Sequence, residues 1–367
     1  MLSSFIKSRK FLDINIKGIL IQNKDKFNSI NNPKVSVIIP IYNSQSFIYR
    51  AIKSVQNQNI LEIEIILIND YSNDNTSTTI MKFKNEDPRI IIINNKKNMG
   101  ILYSRSIGAL SAKGNFIFSL DNDDMFLNNN IISTIINISN KNDFDIVEFK
   151  GILSFNGTNL KDYSKIKDIY LSNHKINQVL FQPELSFYPI KTGKNFGQYK
   201  LNSVYLWNKC IKTSIYQKAL QKLTKEKYSR YMLAYEDVLA VFIIFNVANS
   251  YIFVGTYGIY HIHRKGSAYS LTDSYKRSIK ELYLADAVIS FSKNLTFHQI
   301  LISYLLYRVL SLKLLKKLIE NKQMKKLLFD CLDIFLNSFY ISKEYKNKII
   351  NKGKSLEFCD YINFRKK

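Results

Sequence analysis

Three carboxylates stand within four positions of this chain, at Asp121, Asp123 and Asp124, directly after the apolar run NFIFSL at residues 115–120. One explanation is structural, because acidic residues gather in solvated turns and Asp commonly caps a helix. The other is chemical: a cation holds the repelling carboxylates together. Carboxylate oxygens suit a hard divalent ion such as Mg²⁺ or Mn²⁺. The elements around the cluster must decide between the two.

Strand and helix patterns alternate on both sides of this cluster. Buried strands are predicted at residues 34–41, 63–69, 89–94 and 115–120, with helices at 44–58, 74–87 and 101–112. Ser44 is the predicted N-cap of the first helix, and Pro88 marks the end of the second. The alternation predicts an α/β fold, with a doubly wound, mostly parallel sheet and helices on both faces.

Polar residues follow the predicted strands where each strand ends. Tyr42 follows the first strand, Asp70 the second, and the carboxylate cluster the fourth. Ligands bind outside the carboxyl ends of strands in open α/β sheets, so these side chains converge on one binding edge. The first turn, PIYNSQSF, lacks a dinucleotide-binding glycine fingerprint, and the chain has no P-loop motif. A phosphate-bearing ligand would therefore be neutralised by a metal held on Asp carboxylates.

Composition narrows the class of partner. The 367-residue chain has a formal net charge of +24, which favours an anionic ligand or an anionic membrane surface. No nucleic-acid-binding motif is present, so nucleic acid is not a predicted partner. Three cysteines without a CxxC pair predict reduced thiols and a cytoplasmic location.

No membrane-spanning segment or signal peptide is predicted. The most apolar stretch, residues 238–254, is interrupted by two Asn and one Ser, and predicts a buried helix that runs into a strand. Helices are predicted after residue 275, and residues 298–320 combine an apolar stripe with basic residues. That segment is either a core-packed helix with a solvated basic face or a peripheral membrane contact.

Several motifs in order resemble the inverting family 2 glycosyltransferases, which have the GT-A fold. The likeness covers residues 34–130 through VSVIIPIYN, IEIILINDYSNDNT and SRSIGALSAKGNFIFSLDNDD. It resumes at LWNKCIKTSI, AYEDVLAVF and YHIHRKGSAYS. The polar, irregular pattern of residues 1–33 predicts a lead-in segment and the pattern after residue 275 predicts a helical region at 276–367, while the resemblance implies a GT-A domain at 34–275. Within the domain, residues 34–130 would bind the nucleotide sugar and residues 131–275 the acceptor.

The resemblance also implies roles at the donor end. Pro40 and Tyr42 would lie against the nucleobase, and Asp70 would accept the base N3–H, which favours uracil. Arg105 would lie near the diphosphate. Two departures from the family pattern, Asn69 and Tyr71 in place of an Asp and a small residue, bear on base specificity. A third, Ser106, replaces a frequent Asn.

The carboxylate cluster would supply the ribose and metal contacts. Asp121 and Asp123 match the family's Asp-x-Asp pair, and Asp124 is an equally good metal ligand, with Mn²⁺ or Mg²⁺ as the ion. His263 would lie near the diphosphate or the metal.

Catalysis is implied for Asp237, with its neighbour Glu236 as the alternative carboxylate. Inversion at the sugar C1 needs a base on the face opposite the leaving nucleoside diphosphate, and a carboxylate can take the acceptor hydroxyl proton. Trp207 is either a core residue or an acceptor-stacking platform.

The predicted function is transfer of a sugar from a nucleotide sugar, a UDP-sugar first of all, to a glycan or lipid-linked acceptor. Two alternatives stay open. One is a non-catalytic glycan- or membrane-binding protein on the same scaffold. The other is a metal-dependent nucleotidyltransferase. Such an enzyme typically has a glycine-rich basic loop after the first strand, and the PIYNSQSF turn of this chain lacks one.

Overall fold

The computed structural model describes residues 32–155, 205–224 and 236–263, with short strand segments between residues 167 and 201. The predicted helical region at 276–367 and nearly all of the predicted lead-in segment lie outside the described residues. The basic segment 298–320 lies outside them too.

Four parallel strands form the edge at which the sequence predicts ligand binding. They are β1 (Val35–Ile41), β2 (Ile63–Asn69), β3 (Ile90–Asn94) and β4 (Phe116–Ser119), in the spatial order β3-β2-β1-β4. β1 pairs in parallel with both β2 and β4, and β2 with β3. Every residue of β1, β2 and β4 is buried, which explains their continuous apolar runs. The predicted α/β sheet is confirmed.

The sheet continues beyond β4 in mixed orientation. The added strands are β5 (Met125–Phe126), β6 (Ile146–Phe155), β11 (Lys209–Lys212) and β12 (Ser250–His263), in the order β4-β11-β6-β12-β5. β11 is antiparallel to β4 and β6, whereas β12 is parallel to β6. The short strands are β7 (Lys167–Asp168), β8 (Val179–Phe181), β9 (Ile190–Lys191) and β10 (Lys200–Leu201).

Helices cover both faces of the sheet, as predicted. They are α1 (Ile48–Gln56), α2 (Thr76–Glu86), α3 (Ile101–Ser111), α4 (Ile131–Asn142), α5 (Thr213–Thr224) and α6 (Glu236–Phe245). Apolar residues of α1, α2 and α4 share one core cluster with Val37 and Ile39 of β1. α3 packs on the opposite face, since a Cβ added at Gly108 would lie 2.5 Å from Cγ2 of Ile38. α5 and α6 lie beside α3.

The predicted N-cap of the first helix is wrong. α1 begins at Ile48, and its N-cap residue Phe47 makes no side-chain cap. Ser44 lies in the preceding loop, where its hydroxyl donates to the carbonyl of Tyr42 at 3.0 Å and its amide donates to Thr76 Oγ1 at 2.7 Å. The loop therefore uses the side chain that the sequence pattern assigned to the helix.

The apolar stretch at 238–254 forms most of α6 and the start of β12, in agreement with the prediction. Among the described residues, no helix has both the length and the apolar character that a bilayer crossing requires.

Candidate active site

Two exposed tyrosines mark the loops after β1 and β2. Tyr42 is 47% exposed and Tyr71 is 59% exposed, whereas Pro40 is buried inside β1. Tyr71 has a φ of 63°, a left-handed conformation that an aromatic residue rarely adopts. The amide of Asn43 donates to Ser72 Oγ at 3.0 Å, which ties the two loops together. Tyr42 is therefore exposed at the predicted binding edge, whereas the ring of Pro40 is buried in the sheet.

Asp70 holds the loop that precedes α3. Its carboxylate accepts hydrogen bonds from Asn95 Nδ2 at 2.7 Å, from the amide of Met99 at 2.7 Å and from the amide of Gly100 at 2.8 Å. Gly100 has a φ of 89°, which a residue with a side chain would adopt only under strain. A carboxylate offers about four lone-pair positions, so these three hydrogen bonds leave one position for the N–H of a base. Contact between Asp70 and a base stays a prediction.

Arg105 of α3 lies at the centre of the carboxylates, with 2% of its side chain exposed. Its Nη2 is 2.5 Å from Asp121 Oδ1, and its Nη1 contacts Asp237 and lies 3.4 Å from Glu236 Oε1. Its Nε is buried without a hydrogen-bond partner among the described residues. Arg105 therefore joins the loop after β4 to the start of α6, and its contact with a diphosphate stays a prediction.

The two acidic residues of α6 lie in a buried setting that favours the protonated form. Burial raises the pKa of Glu236 to about 7, the charge of Asp237 adds to the effect, and Arg105 opposes it. Burial also raises the pKa of Asp237, and Arg105 again opposes the shift. The amide of Leu206 lies 3.4 Å from Asp237 Oδ2. A buried carboxylate with a raised pKa can accept a proton near neutral pH.

Asp124 is fully buried and joins the carboxylate cluster to β12. Its Oδ1 accepts the amide of Ile262 at 2.9 Å, and its Oδ2 lies 2.9 Å from His261 Nδ1. One ligand atom each from Asp121, Asp124 and His261 lies within 4.8 Å of the others. Oxygen and imidazole donors at this spacing fit a divalent metal such as Mn²⁺.

The Asp124 and His261 pair retains a proton. Burial raises the pKa of Asp124 to about 7, against the opposing charge of His261, and Asp121 and Asp123 add to the rise. For His261, burial alone would lower the pKa, but the Asp124 carboxylate outweighs it and raises the pKa to about 9. A metal that binds the imidazole must therefore displace a proton.

His261 was missed by sequence reasoning, which selected His263. The backbone of His263 pairs with Phe155 at the end of β12, where the described residues end, and its role stays a prediction. The missed signal is the strand period of two, which puts His261 and His263 on one face of β12. Asp123 is partly exposed beside this cluster, and its charge raises the pKa of Asp124.

Two aromatic side chains stack behind His261 of the cluster. Trp207 stacks on His261, with 5.1 Å between ring centroids and 10° between planes. Tyr205 stacks on Trp207 at 5.0 Å. Because Trp207 is only 3% exposed, its ring face is not available to stack on an acceptor, which favours its interpretation as a core residue.

A model of the family described as Glycosyl transferase family 2 matches residues 36–204. This range contains the loops after β1 to β4, and therefore Tyr42, Asp70, Arg105 and the carboxylate cluster.

Curated relatives are glycosyltransferases. A GalNAc(5)-diNAcBac-PP-undecaprenol beta-1,3-glucosyltransferase of Campylobacter jejuni is 34% identical over 142 residues, which are 36% of this chain and 46% of the relative. The chain thus spans less than half the length of that relative. A processive diacylglycerol beta-glycosyltransferase of Mycoplasma pneumoniae is 26% identical over 258 residues, 70% of each chain.

Solved structures share the architecture. TarS of S. aureus, residues 1–349 in complex with UDP-GlcNAc, superposes with a TM-score of 0.57 at 17% sequence identity. The superposition covers 83% of this chain and 80% of that one. At this identity the likeness concerns the fold alone.

Proposed function

The chain contains a family 2 glycosyltransferase domain with a GT-A fold, and from this premise we propose that it transfers a sugar from a UDP-sugar to an acceptor hydroxyl with inversion at C1. The observation that carries the proposal is the meeting of Arg105, Asp121 and Asp237 at the carboxyl edge of the sheet. Donor-side and acceptor-side carboxylates are thereby brought within reach of one substrate.

The donor would lie on the loops after β1, β2 and β4. Tyr42 offers an exposed ring for the base, and Asp121 lies at the edge where the ribose and the diphosphate would be placed. The choice of a UDP-sugar is supported by the complex of TarS with UDP-GlcNAc, a protein of the same fold.

A divalent metal, Mn²⁺ or Mg²⁺, would be held by Asp121, Asp124 and His261, with Asp123 as the partly exposed alternative. When bound, the metal neutralises charge on the leaving diphosphate. Asp124 itself orients His261, since it contacts the imidazole and the adjacent amide of Ile262.

Asp237 would be the base that takes the proton of the acceptor hydroxyl. The Arg105 guanidinium contacts Oδ1 of Asp237 and offsets part of the negative charge of the carboxylate. The amide of Leu206 faces Oδ2. Glu236 lies farther from the guanidinium, at 3.4 Å, whereas Asp237 contacts it directly, so Arg105 favours the ionised form of Asp237 more strongly. Asp237 is therefore the better base of the two.

The acceptor is proposed to be a glycan or a lipid-linked hydroxyl. The names of two relatives specify an undecaprenol-linked glycan and diacylglycerol as their acceptor classes. An acceptor of this kind would place the enzyme at the cytoplasmic face of a membrane, and the net charge of +24 would favour contact with anionic lipid there.

The test is a panel of UDP-sugars with Mn²⁺ and lipid-linked acceptors, in which UDP release and product are measured. Asp237→Asn should abolish transfer and leave donor binding intact, whereas Glu236→Gln should retain transfer. Full activity in Asp237→Asn would refute the base assignment. Donor binding without turnover in the wild type would favour a binding protein, and release of pyrophosphate from UTP and a sugar phosphate would favour a nucleotidyltransferase.

A further inference from the structure

A lysine is buried directly beneath the site. Lys209, the first residue of β11, has 0% of its side chain exposed, and its Nζ lies 3.2 Å from Oε2 of the equally buried Glu148 of β6. Burial lowers the pKa of Lys209, and the Glu148 carboxylate opposes that shift. Taking two charges out of water is costly, and such pairs are often no more stabilising than apolar residues of the same size. Stability alone is therefore a weak reason for this pair.

The ammonium also binds the turn formed by residues 205–209. Its Nζ donates to the carbonyl of Tyr205 at 2.7 Å and to Asn208 Oδ1 at 3.0 Å. With Glu148, these acceptors match the three N–H donors of an ammonium group. Asn208 in turn exchanges hydrogen bonds with the backbone of Phe149 in β6, at 3.2 Å and 3.0 Å. Lys209 thus fastens the 205–209 turn to the sheet.

The same turn contacts both halves of the site. The amide of Leu206 faces Asp237 Oδ2 at 3.4 Å. The ring of Trp207 lies flat on His261, whose Nδ1 contacts Asp124. One short segment therefore contacts the proposed base through its backbone and the proposed metal-binding group through a side chain.

We propose that Lys209 is a positioning residue for the transfer reaction: its ammonium fixes the 205–209 turn, and the turn sets the relative position of Asp237 and His261. This inference rests on the proposed function. Lys209 acts through Leu206 and Trp207 and touches no substrate.

The test compares two lysines of one strand. In Lys209→Met/Glu148→Gln both buried charges are removed together, which avoids an uncompensated Glu148. The matched control is Lys212→Met, three residues along β11 on the opposite face, where Nζ lies 2.9 Å from Asp145 Oδ1. Trp207 is the only tryptophan of the chain, so its fluorescence reports on the turn directly.

The double variant should show a red-shifted Trp207 emission and faster acrylamide quenching in the folded protein. Its kcat should fall between about ten- and a hundredfold, because a small misplacement of reacting groups is enough for such a loss. The KM for the UDP-sugar should change less than kcat does, since Tyr42 and Asp121 lie on other loops and only His261 of the proposed donor site contacts the turn. Lys212→Met should keep the wild-type emission and kcat.

The inference is overturned if the double variant keeps either the wild-type emission or the wild-type kcat, or if Lys212→Met changes them equally. Fluorescence is read without any substrate. A wild type that transfers no sugar would thus defeat the proposed function separately, while unchanged emission in the double variant would defeat the role of Lys209 in fixing the turn.

Discussion

Arg105 of α3 forms a buried ion pair with Asp237 at the start of α6, 132 residues later in the chain. Its other terminal nitrogen lies 2.5 Å from Asp121 after β4. One guanidinium therefore serves three carboxylates, with Glu236 as the third. Arg105 stands between the strand-end cluster and the helix that carries the proposed base.

Replacing this guanidinium should destabilise the protein. Arg105→Met leaves several buried carboxylates without their cation, and the free energy of unfolding should fall by about 3–5 kcal/mol. Urea denaturation measures it. Arg89→Met is the control. Nη2 of Arg89 lies 2.8 Å from Oδ2 of Asp87, and this pair lies outside the site and is partly exposed. Equal losses in the two variants would contradict the central place of Arg105.

Asp124 should control metal affinity. In the wild type, Mn²⁺ should raise the melting temperature, because a ligand that binds only the folded state stabilises it. Asp124→Asn should weaken Mn²⁺ binding by about ten- to a hundredfold, since it removes a charge and the partner that orients His261. Asp143→Asn, an exposed substitution outside the cluster, should bind as the wild type does. If Asp123→Asn alone abolished binding, Asp123 would be the principal ligand.

The free energy of unfolding should fall as the pH rises from 6.5 to about 9. The pKa of His261 is raised from 6.5 to about 9 in the folded protein. Its stabilising contribution is therefore fully present below pH 6.5 and is lost as the pH approaches 9. The loss is at most about 3 kcal/mol.

The measurement is denaturation at a series of pH values in EDTA, so that no metal competes for the imidazole. His261→Gln should flatten the slope between pH 6.5 and 9. An unchanged slope in that variant would assign the effect to another group.

Asp70 should be required for the order of the loop before α3. Asp70→Asn replaces an acceptor-only carboxylate with a group that has one acceptor oxygen, so the amides of Met99 and Gly100 can no longer be satisfied as before. The cost should be about 1–3 kcal/mol. Hydrogen exchange at these two amides should accelerate, and exchange as slow as in the wild type would contradict the role.

Gly151 should be intolerant of a side chain for a reason that reaches the site. A Cβ at this position would lie 2.7 Å from Cη2 of Trp207. Gly151→Ala should therefore push Trp207 away from His261, at a cost of about 1–3 kcal/mol. The measurement is Trp207 emission with urea denaturation, and an unchanged spectrum would show that the ring has room to move.

Much of the site was accessible to sequence reasoning because parallel strands deliver their carboxyl ends to a common edge. The positions of Tyr42, Asp70 and Asp121 after β1, β2 and β4 follow from the order of apolar runs alone. Ser44 shows the limit of such local reasoning. Its capping pattern is present in the sequence, but the helix begins at Ile48, and the amide and the hydroxyl of Ser44 bond within the loop instead, to Thr76 Oγ1 and to the carbonyl of Tyr42.

The sequence by itself determined the α/β alternation and the edge of the sheet at which the carboxylates gather, because local apolar patterns specify which segments form buried strands and in which order. Only the tertiary structure decided which groups meet. Arg105 with Asp237, Asp124 with His261, and Lys209 with Glu148 are pairs from distant segments. Their partnership depends on the mixed strand order beyond β4, which no local pattern encodes, and on burial, which makes an unpaired charge too costly to leave alone.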